Sequence, residues 1–307
     1  TTQNFSVTAA SEDASFRSYH RVTQGDNTWV LMDAPPSHED CGPFIKVQKQ
    51  LHELGVKVPE IMAMDLDLGF LLLSDLGNTL LLNELKEEYE GEDEDQNNGH
   101  AKVDALYDKA CEQIHLMQHA KFDSSNLPLY DKALLNTEMQ LFSDWFVDRH
   151  LGEQLTKTEQ QVLNQVQELL TENALSQPQS FVHRDFHSRN LMPQADGQMA
   201  VIDFQDARIG HPAYDLVSLL QDARRDVPAA IESRMINRYL DASGLDESGF
   251  RGAYSVIGVQ RNLRILGIFA RLSQDFGKPQ YLELIPRVWT HVINGLEHPA
   301  LAPLAEF

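Results

Sequence analysis

Three side chains suited to proton transfer or metal binding lie close together in the sequence. Asp185 and Asn190 fall within residues 181–192, and Asp203 falls within residues 201–206. Phosphoryl transfer to an alcohol needs a carboxylate that accepts the proton of the attacking hydroxyl, and amide and carboxylate oxygens that hold Mg²⁺ on the phosphates. Because Mg²⁺ keeps several water ligands, two protein ligands suffice. These residue types therefore suit phosphoryl transfer with Mg²⁺ held on the phosphates.

Short apolar segments adjoin these polar residues and predict the elements that position them. The segments are residues 180–182, 191–192 and 200–202. Pairing of these three strands would bring the two carboxylates and the amide to one end of a small hairpin region. The sequence therefore predicts a catalytic site built on loops that follow short strands.

The first part of the chain has the pattern of a strand-rich region with one helix. The predicted order is strand 16–22, strand 28–32, helix 43–54, strand 58–64 and strand 69–74. Residues 75–78 interrupt this pattern and are predicted to form a hinge. We therefore predict a small N-terminal lobe over residues 1–76, with an antiparallel sheet that binds the nucleotide.

Residues 77–307 have mainly helical periodicity and predict a larger C-terminal lobe for catalysis and substrate binding. Residues 87–100 are dense in Glu, Asp, Asn and Gly, so we predict a solvated or disordered acidic loop there. The predicted fold is α+β and bilobal, with the cleft between the lobes as the ligand site. Further helices are predicted at residues 103–117, 139–151, 156–173, 214–224, 229–240 and 253–272.

Charge and cysteine content exclude several classes of protein. The formal net charge of -21 disfavours nucleic acid and anionic membranes as partners, because both need a basic surface. Cys41 and Cys111 are too few for a disulfide framework or a zinc site. We find no signal peptide pattern and no apolar segment long enough to span a bilayer, so we expect a cytoplasmic protein if the chain begins near its native start. No obligate protein partner is evident.

The segment around Asp185 resembles the catalytic loop of the protein-kinase-like superfamily, H-x-D-x-x-x-x-N, and stands here as His183, Asp185 and Asn190. Residues 202–207 with Gly210, Pro212, Asp215 and Leu216 resemble the aminoglycoside and choline kinase branch. The resemblance implies a protein-kinase-like fold in which Asp185 is the base and His183 braces the loop. It also implies that Asn190 and Asp203 hold Mg²⁺ and that Asp215 bonds the catalytic-loop backbone.

Residues 12–22 resemble the phosphate-covering turn of this branch. The resemblance implies that Ser15 and the backbone amides of Phe16 and Arg17 face the phosphates of ATP. Strand alternation places Arg17 and Arg21 on one face. The superfamily usually has a lysine on the third strand, and Met32 stands at that position here. Arg17, Arg21 or Lys46 could supply the missing charge, and the two arginines suit phosphate best.

The hinge residues Asp75 and Leu76 are expected to bind adenine through their backbone groups. A narrower resemblance runs from about residue 11 to about residue 272, to a bacterial group of anomeric amino-sugar kinases. It rests on residues 14–19, 32–36, 183–192 and 260–267. That group phosphorylates the anomeric hydroxyl of N-acetylmuramate or N-acetylglucosamine in cell-wall recycling.

The lactyl carboxylate of N-acetylmuramate needs a cation, and the sequence offers several. Arg261, with Asn262 beside it, is the first expectation, and Arg189 and Arg264 are the alternatives. The partner is thus expected to be a small sugar. Two other interpretations stay open at this point. One is a kinase for another small alcohol, such as choline, homoserine or an aminoglycoside. The other is a nucleotide-binding pseudokinase module, which the methionine at position 32 favours.

Overall fold

The structure is a computed structural model. It describes residues 5–11, 16–90, 96–119 and 127–306. The chain divides into two compact units, the first of residues 1–126 and 188–207 and the second of residues 127–187 and 208–307. This division by compactness differs from the predicted functional boundary after residue 76, which stays a prediction.

A five-stranded antiparallel sheet is the main element of the first unit, in the spatial order β1-β2-β3-β5-β4. Its strands are β1 (Ser6–Ser11), β2 (Ser18–Gln24), β3 (Asn27–Asp33), β4 (Ile61–Asp65) and β5 (Phe70–Ser74). The predictions for the last four strands are confirmed to within a few residues. Strand β1 was not predicted, because the alternation in its small and polar residues is weak.

Tight turns fix the register of the sheet. The β2–β3 hairpin turns at Gly25, whose φ of 59° lies in the left-handed region that favours glycine. Gly69, before β5, has a φ of 79°, and a Cβ atom there would lie 2.1 Å from the carbonyl oxygen of Ala34. A side chain at Gly69 would therefore displace the start of the strand that leads into the hinge.

The first unit also contains the helices α1 (Gly42–Glu53), α2 (Leu81–Glu90) and α3 (Gln96–His119). Helix α1 is confirmed, and Phe44, Val47 and Leu51 form its buried face. The predicted acidic loop at residues 87–100 is wrong at both ends, because residues 87–90 and 96–100 are helical. Helix α2 begins with buried leucines, and such an anchored helix can propagate into charged residues. Residues 91–95 lie outside the described residues.

Two further strands of the first unit, β7 (Leu191–Pro193) and β8 (Met199–Val201), form an antiparallel hairpin. The three-strand pairing predicted for this region is wrong for residues 180–182. That strand, β6 (Ser180–Val182), belongs to the second unit and pairs with β9 (Arg208–Gly210). The sequence concealed β9, because a three-residue strand is too short to show a periodicity.

Helices make up most of the second unit. They are α4 (Lys132–Leu141), α5 (Lys157–Ser176), α6 (Ala213–Leu220), α7 (Ala229–Ser243), α8 (Glu247–Phe276), α9 (Ile285–Gly295) and α10 (Ala302–Ala305). Residues Phe142–Leu151 form a π-helix that continues α4. Gly267 of α8 permits close packing here, because a Cβ atom there would lie 2.3 Å from the backbone of Leu141. The helices enclose one apolar core, which includes Met139, Phe146, Leu170, Leu266 and Val288.

The α+β class is confirmed, with an antiparallel sheet in the first unit and a largely helical second unit. Within the described parts of the chain, no helix has both the length and the apolar character needed to cross a membrane. Cys41 and Cys111 are both buried, and neither is in a disulfide bond.

Candidate active site

The predicted base lies in a loop of the second unit that follows β6. The backbone N–H groups of His183 and Arg184 donate to the Asp215 carboxylate, over 2.7 and 3.0 Å. Asp215 stands in the first turn of α6 and is fully buried. The contact that the family resemblance implied for Asp215 is therefore confirmed, and this carboxylate anchors the loop just before Asp185.

Burial raises the pKa of Asp215 to about 6, and the two N–H donors and His183 oppose that shift. A carboxylate with a raised pKa becomes protonated at a higher pH than an exposed one. Its hydrogen bonds to the loop nevertheless need an acceptor oxygen, which Asp215 keeps in either protonation state.

Arg184 has an unusual backbone conformation, with a φ of 76°. This left-handed region is costly for a residue with a side chain, and such strain persists only where the surroundings hold it. The Asp215 carboxylate holds its N–H, and the Ser218 hydroxyl donates to its carbonyl oxygen over 3.4 Å. His183 is fully buried, and its Nδ1 lies 3.3 Å from the backbone nitrogen of Asp185. These contacts restrain the backbone on both sides of the predicted base.

Cations surround the partly exposed carboxyl of Asp185. Burial raises the pKa of Asp185, but the guanidinium groups of Arg264, foremost, and Arg184 bring it below its ordinary value. His187 is itself buried, and burial together with Arg224 lowers the pKa of its imidazole to about 3. At neutral pH the loop therefore carries an ionised Asp185 and a neutral His187.

The two predicted metal ligands meet in the first unit. Asn190 immediately precedes β7 and Asp203 closely follows β8, so the hairpin places them together. The Asn190 side-chain amide donates to Asp203 over 3.2 Å, and Gln205 donates to the other carboxylate oxygen over 2.9 Å. Asp203 has a φ of 65°, a second left-handed residue beside the predicted chemistry. This part of the predicted arrangement, the closeness of Asn190 and Asp203, is confirmed.

One carboxylate beside one amide oxygen fits Mg²⁺, which takes oxygen ligands and leaves the remaining positions to water and phosphate. Across the ranges that the structure describes, no group of three or more His, Cys, Asp and Glu residues is placed to hold a metal ion by itself. The donor set at Asn190 and Asp203 therefore suits an ion that arrives with a nucleotide.

The predicted phosphate-contacting residues lie at the start of β2. Ser15 lies outside the described residues. Phe16 is exposed, and its ring lies 4.7 Å from the ring of His38. The guanidinium of Arg17 pairs with Glu39 over 3.1 Å. Glu39 lies just before α1, so this pair links the residue that precedes β2 to the segment that starts the helix.

Met32 is buried and pairs in register with Tyr19 on β2 and Leu71 on β5. Register partners share a face of the sheet, and alternation along β2 adds Arg21 to that face, while Arg17 lies one residue before β2. The strand position without a lysine therefore lies on the same face as Arg21.

Arg21 is fully engaged with the hinge. Its Nε and Nη2 atoms donate to the two oxygens of Asp75 over 2.6 and 2.9 Å, and Nη1 donates to Asn78 over 2.6 Å. The pKa of Asp75 is lowered although burial opposes it, chiefly by Arg21 and the N–H of Gly77. The Leu76 carbonyl accepts from Gln194 over 3.2 Å. The Asp75 side chain therefore ties the hinge to β2, and its predicted backbone role stays a prediction.

The predicted substrate residues fall in different places. Arg189 is exposed and belongs to the first unit. Arg261 and Asn262 are buried on α8 of the second unit. Arg261 lies 3.5 Å from the carbonyl oxygen of Gln221 and 3.4 Å from Asn262 Oδ1. Burial lowers the pKa of Arg261, and no described carboxylate lies within 4.0 Å of it.

A buried ionic cluster in the second unit was not predicted. Glu138 of α4 accepts from the side chains of Tyr130 and Arg184, and its Oε2 lies 3.0 Å from Arg264 Nε. The Tyr214 hydroxyl also accepts from Arg264, over 3.2 Å. The sequence offered one signal for Glu138, because it stands next to Met139 and three residues after Leu135 on the apolar face of a helix.

A cavity of about 340 Å³ opens beside the π-helix. Its wall is largely polar and includes Gln140, Asp144, Asp148 and Gln160. None of the predicted site residues lines it. Trp145, also on the π-helix, packs under the guanidinium of Arg149, whose Cζ lies 4.0 Å from the ring centroid.

Comparison with protein families decides the wider relationship. The model of the phosphotransferase enzyme family (APH) matches residues 6–252. The chain belongs to this family. An N-acetylmuramate/N-acetylglucosamine kinase of Pseudomonas aeruginosa is 41% identical over 306 residues, covering 97% of this chain and 86% of the relative. The chain is therefore a small-molecule kinase.

Solved structures share the fold at low sequence identity. A putative aminoglycoside phosphotransferase from Ralstonia eutropha has a TM-score of 0.67 at 15% identity, covering 97% of this chain and 93% of that chain. An ADP-bound aminoglycoside phosphotransferase has a TM-score of 0.59 at 13% identity, with 94% of each chain covered. These two confirm the predicted protein-kinase-like fold.

Proposed function

We propose that the protein transfers the γ-phosphoryl group of ATP to the anomeric hydroxyl of N-acetylmuramate or N-acetylglucosamine. The observation that carries this proposal is the similarity of nearly the whole chain to the kinase named for these two sugars. The loop that holds Asp185 and the hairpin that holds Asn190 and Asp203 supply the side chains that such a transfer requires.

In the proposed reaction the Asp185 carboxylate accepts the proton of the sugar hydroxyl. The sugar oxygen bonds to the γ-phosphorus, and the bond from that phosphorus to the bridging oxygen of ATP breaks, which releases ADP. An anomeric hydroxyl is more acidic than other sugar hydroxyls, so one ionised carboxylate is an adequate base. His183 and Asp215 hold the backbone beside this carboxylate.

Asn190 and Asp203 are the proposed Mg²⁺ ligands. The bound ion would neutralise charge on the phosphates. The Gln205 side-chain amide donates to one oxygen of Asp203, and this hydrogen bond orients the carboxylate. Within the hairpin, the backbone N–H of Ile202 donates to the Asn190 carbonyl over 3.0 Å, and this bond fixes the separation of the two ligands.

The nucleotide is proposed to lie against β2 and the hinge. Arg17 is our first choice for the charge that a strand lysine supplies elsewhere, since Arg21 is already engaged by Asp75 and Asn78. The backbone amides of Phe16 and Arg17, together with Ser15, would contact the phosphates. Arg21 holds Asp75, so its contribution would reach adenine through the hinge backbone at Asp75 and Leu76.

For the sugar, Arg261 is the proposed partner of the lactyl carboxylate. It is a buried guanidinium with long hydrogen bonds and no paired carboxylate among the described residues. Asn262 lies beside it and accepts from it, while donating to Gln221 over 2.7 Å. Arg264 is fastened to Glu138, and Arg189 is exposed, so both are weaker choices.

The decisive experiment is a coupled ADP-release assay with Mg-ATP. The acceptors are N-acetylmuramate, N-acetylglucosamine, glucose, choline, homoserine and kanamycin, each with the native chain and Asp185→Asn. Turnover on an acetylated amino sugar that is lost in the variant supports both the substrate and the base. Turnover only on choline, homoserine or kanamycin would keep the kinase and refute the sugar. ATP binding without turnover on any acceptor would favour a nucleotide-binding module.

A further inference from the structure

The buried carboxylate of Glu138 connects three elements of the second unit. It accepts from Tyr130 in the segment before α4, contacts Arg184 in the catalytic loop, and lies 3.0 Å from Arg264 of α8. About 8% of Glu138 is exposed. Burial of a charge is costly unless paired ions and hydrogen bonds compensate it, so a single carboxylate that serves two arginines is under strong constraint.

Both arginines flank the proposed base. Arg184 precedes Asp185 in the chain, and its left-handed backbone is held by Asp215 and Ser218. Glycine is the usual residue in that conformation, because any side chain adds a steric cost. Arg184 carries that cost, and its side chain contacts Glu138 and, over the ring face, Tyr130.

Arg264 contributes the largest attraction that lowers the pKa of Asp185. The Arg264 guanidinium lies within ion-pair distance of Glu138 and donates to the Tyr214 hydroxyl. The Asp185 carboxylate also attracts it. Without the Glu138 charge, the carboxylate of Asp185 would remain as an acidic group that attracts both guanidinium groups. They would be drawn toward the base and would make it a weaker proton acceptor.

We propose that Glu138 is a positioning residue for the transfer step. It holds Arg184 and Arg264 away from the Asp185 carboxylate and fixes the catalytic loop from its side-chain face, as Asp215 fixes it from the backbone face. This inference rests on the proposed role of Asp185 as the base. Glu138 acts through its two arginines and needs no contact with either substrate.

The test is a double-mutant cycle between Glu138→Gln and Asp185→Asn, with kcat and both KM values measured in the sugar kinase assay. Glu138→Gln keeps the shape of the side chain and removes its charge. In the native background we expect kcat to fall about ten- to a hundredfold, while KM for ATP and for sugar stays within about twofold. On the residual rate of Asp185→Asn, the same change is expected to have an effect of less than about threefold, because the group it acts on is gone.

Glu232→Gln is the matched control. Glu232 also stands in the second unit on a helix and accepts from a tyrosine, Tyr254, over 2.7 Å, but it has no arginine of the catalytic loop beside it. We expect kcat within about twofold of the native value for this variant. Glu138→Asp keeps the charge on a shorter side chain and is expected to recover at least part of the lost kcat.

An equal loss of kcat in both backgrounds, or a loss confined to KM, would show a general structural effect and overturn the inference. If Asp185→Asn keeps the native rate, the proposed base is wrong and the inference falls with it. If Asp185→Asn is impaired while Glu138→Gln is not, only the present inference is wrong. If circular dichroism shows that Glu138→Gln does not fold, Arg264→Lys replaces it, because this change weakens the same ion pair from the arginine side. Its kcat and KM values are then judged by the same criteria.

Discussion

Two arginines of the first unit are paired differently from three arginines of the second unit. In the first unit Arg17 and Arg21 each have a carboxylate of their own, Glu39 and Asp75. In the second unit Arg184 and Arg264 share one carboxylate, and Arg261 has none within 4.0 Å among the described residues.

The difference teaches what each cation is able to do. A guanidinium paired one to one fastens the two segments that it joins, as Arg21 fastens β2 to the hinge. One that is buried without a carboxylate retains its capacity for an anion, because its desolvation is uncompensated. We therefore assign a fastening role to Arg21 and anion binding to Arg261, and each assignment can be tested.

The largest effect is expected at Arg17. If this residue supplies the missing charge for the phosphates, Arg17→Ala should raise the KM for ATP or lower kcat by roughly ten- to a thousandfold. Steady-state kinetics with Mg-ATP as the varied substrate measures it. Arg21→Ala is the comparison, and a larger loss there would move the role to Arg21. A change below about twofold at both positions would discard an arginine substitute.

The next effect concerns Arg261. Arg261→Ala should raise the KM for N-acetylmuramate by roughly ten- to fiftyfold, because one charge-assisted contact with the lactyl carboxylate is lost. The KM for N-acetylglucosamine, which has no carboxylate, should change less than about threefold. The ratio of kcat/KM values for the two sugars is the measurement. An equal change for both would show that Arg261 supports the fold of α8 rather than the anion.

A smaller effect is expected from the burial of His187 beside Arg224. Its pKa of about 3 lies below the ordinary value, so between about pH 6.5 and 3 the unfolded chain binds more protons than the folded chain. The unfolding free energy therefore falls as pH falls through this window. His187→Gln should reduce the loss of stability between pH 7 and 5 by about 2 kcal/mol.

Urea denaturation of both proteins at the two pH values checks this expectation. His211 and His291 also have lowered pKa values of about 4, caused chiefly by burial, and they remain in both proteins. Their contributions therefore cancel in the comparison. An identical loss in the native and variant chains would contradict a neutral, buried His187.

The smallest effect is expected at an exposed pair of the first unit. Lys57 and Asp196 lie 3.3 Å apart, with side chains 38% and 50% exposed. Solvent screening leaves such pairs with little net energy, so Lys57→Ala should change the unfolding free energy by less than about 1 kcal/mol. Arg21→Ala should cost more in the same denaturation experiment, because Asp75 is nearly buried on the partner side. Equal losses would remove the distinction between fastening pairs and surface pairs.

Local patterns predicted much of the fold. Alternating and helical periodicities gave four strands of the large sheet and helix α1, whose buried Phe44, Val47 and Leu51 face one way. They failed at β9, which is three residues long, and at residues 87–100, where charge density concealed two helix ends. In both places the deciding contacts come from elsewhere in the chain rather than from the segment itself.

The candidate site was likewise predictable from the sequence only in part. The spacing of Asp185, Asn190 and Asp203 was sufficient to indicate phosphoryl transfer, and hairpin pairing brings Asn190 to Asp203 because the strands between them are adjacent in sequence. The contact of Asp215 with the loop could be expected from the family resemblance alone. Glu138 could not be assigned a role, since its arginines come from a distant loop and a distant helix.

The sequence by itself determined the chemical inventory of this protein and the short-range elements that carry it, because motifs and periodicities are properties of neighbouring residues. Tertiary structure alone decided which charges are paired. Whether an arginine binds a carboxylate of its own chain depends on the packing of segments far apart in sequence and on how much water that packing excludes. Arg261 and Arg264 are three residues apart on one helix, yet only Arg264 meets Glu138 within ion-pair distance.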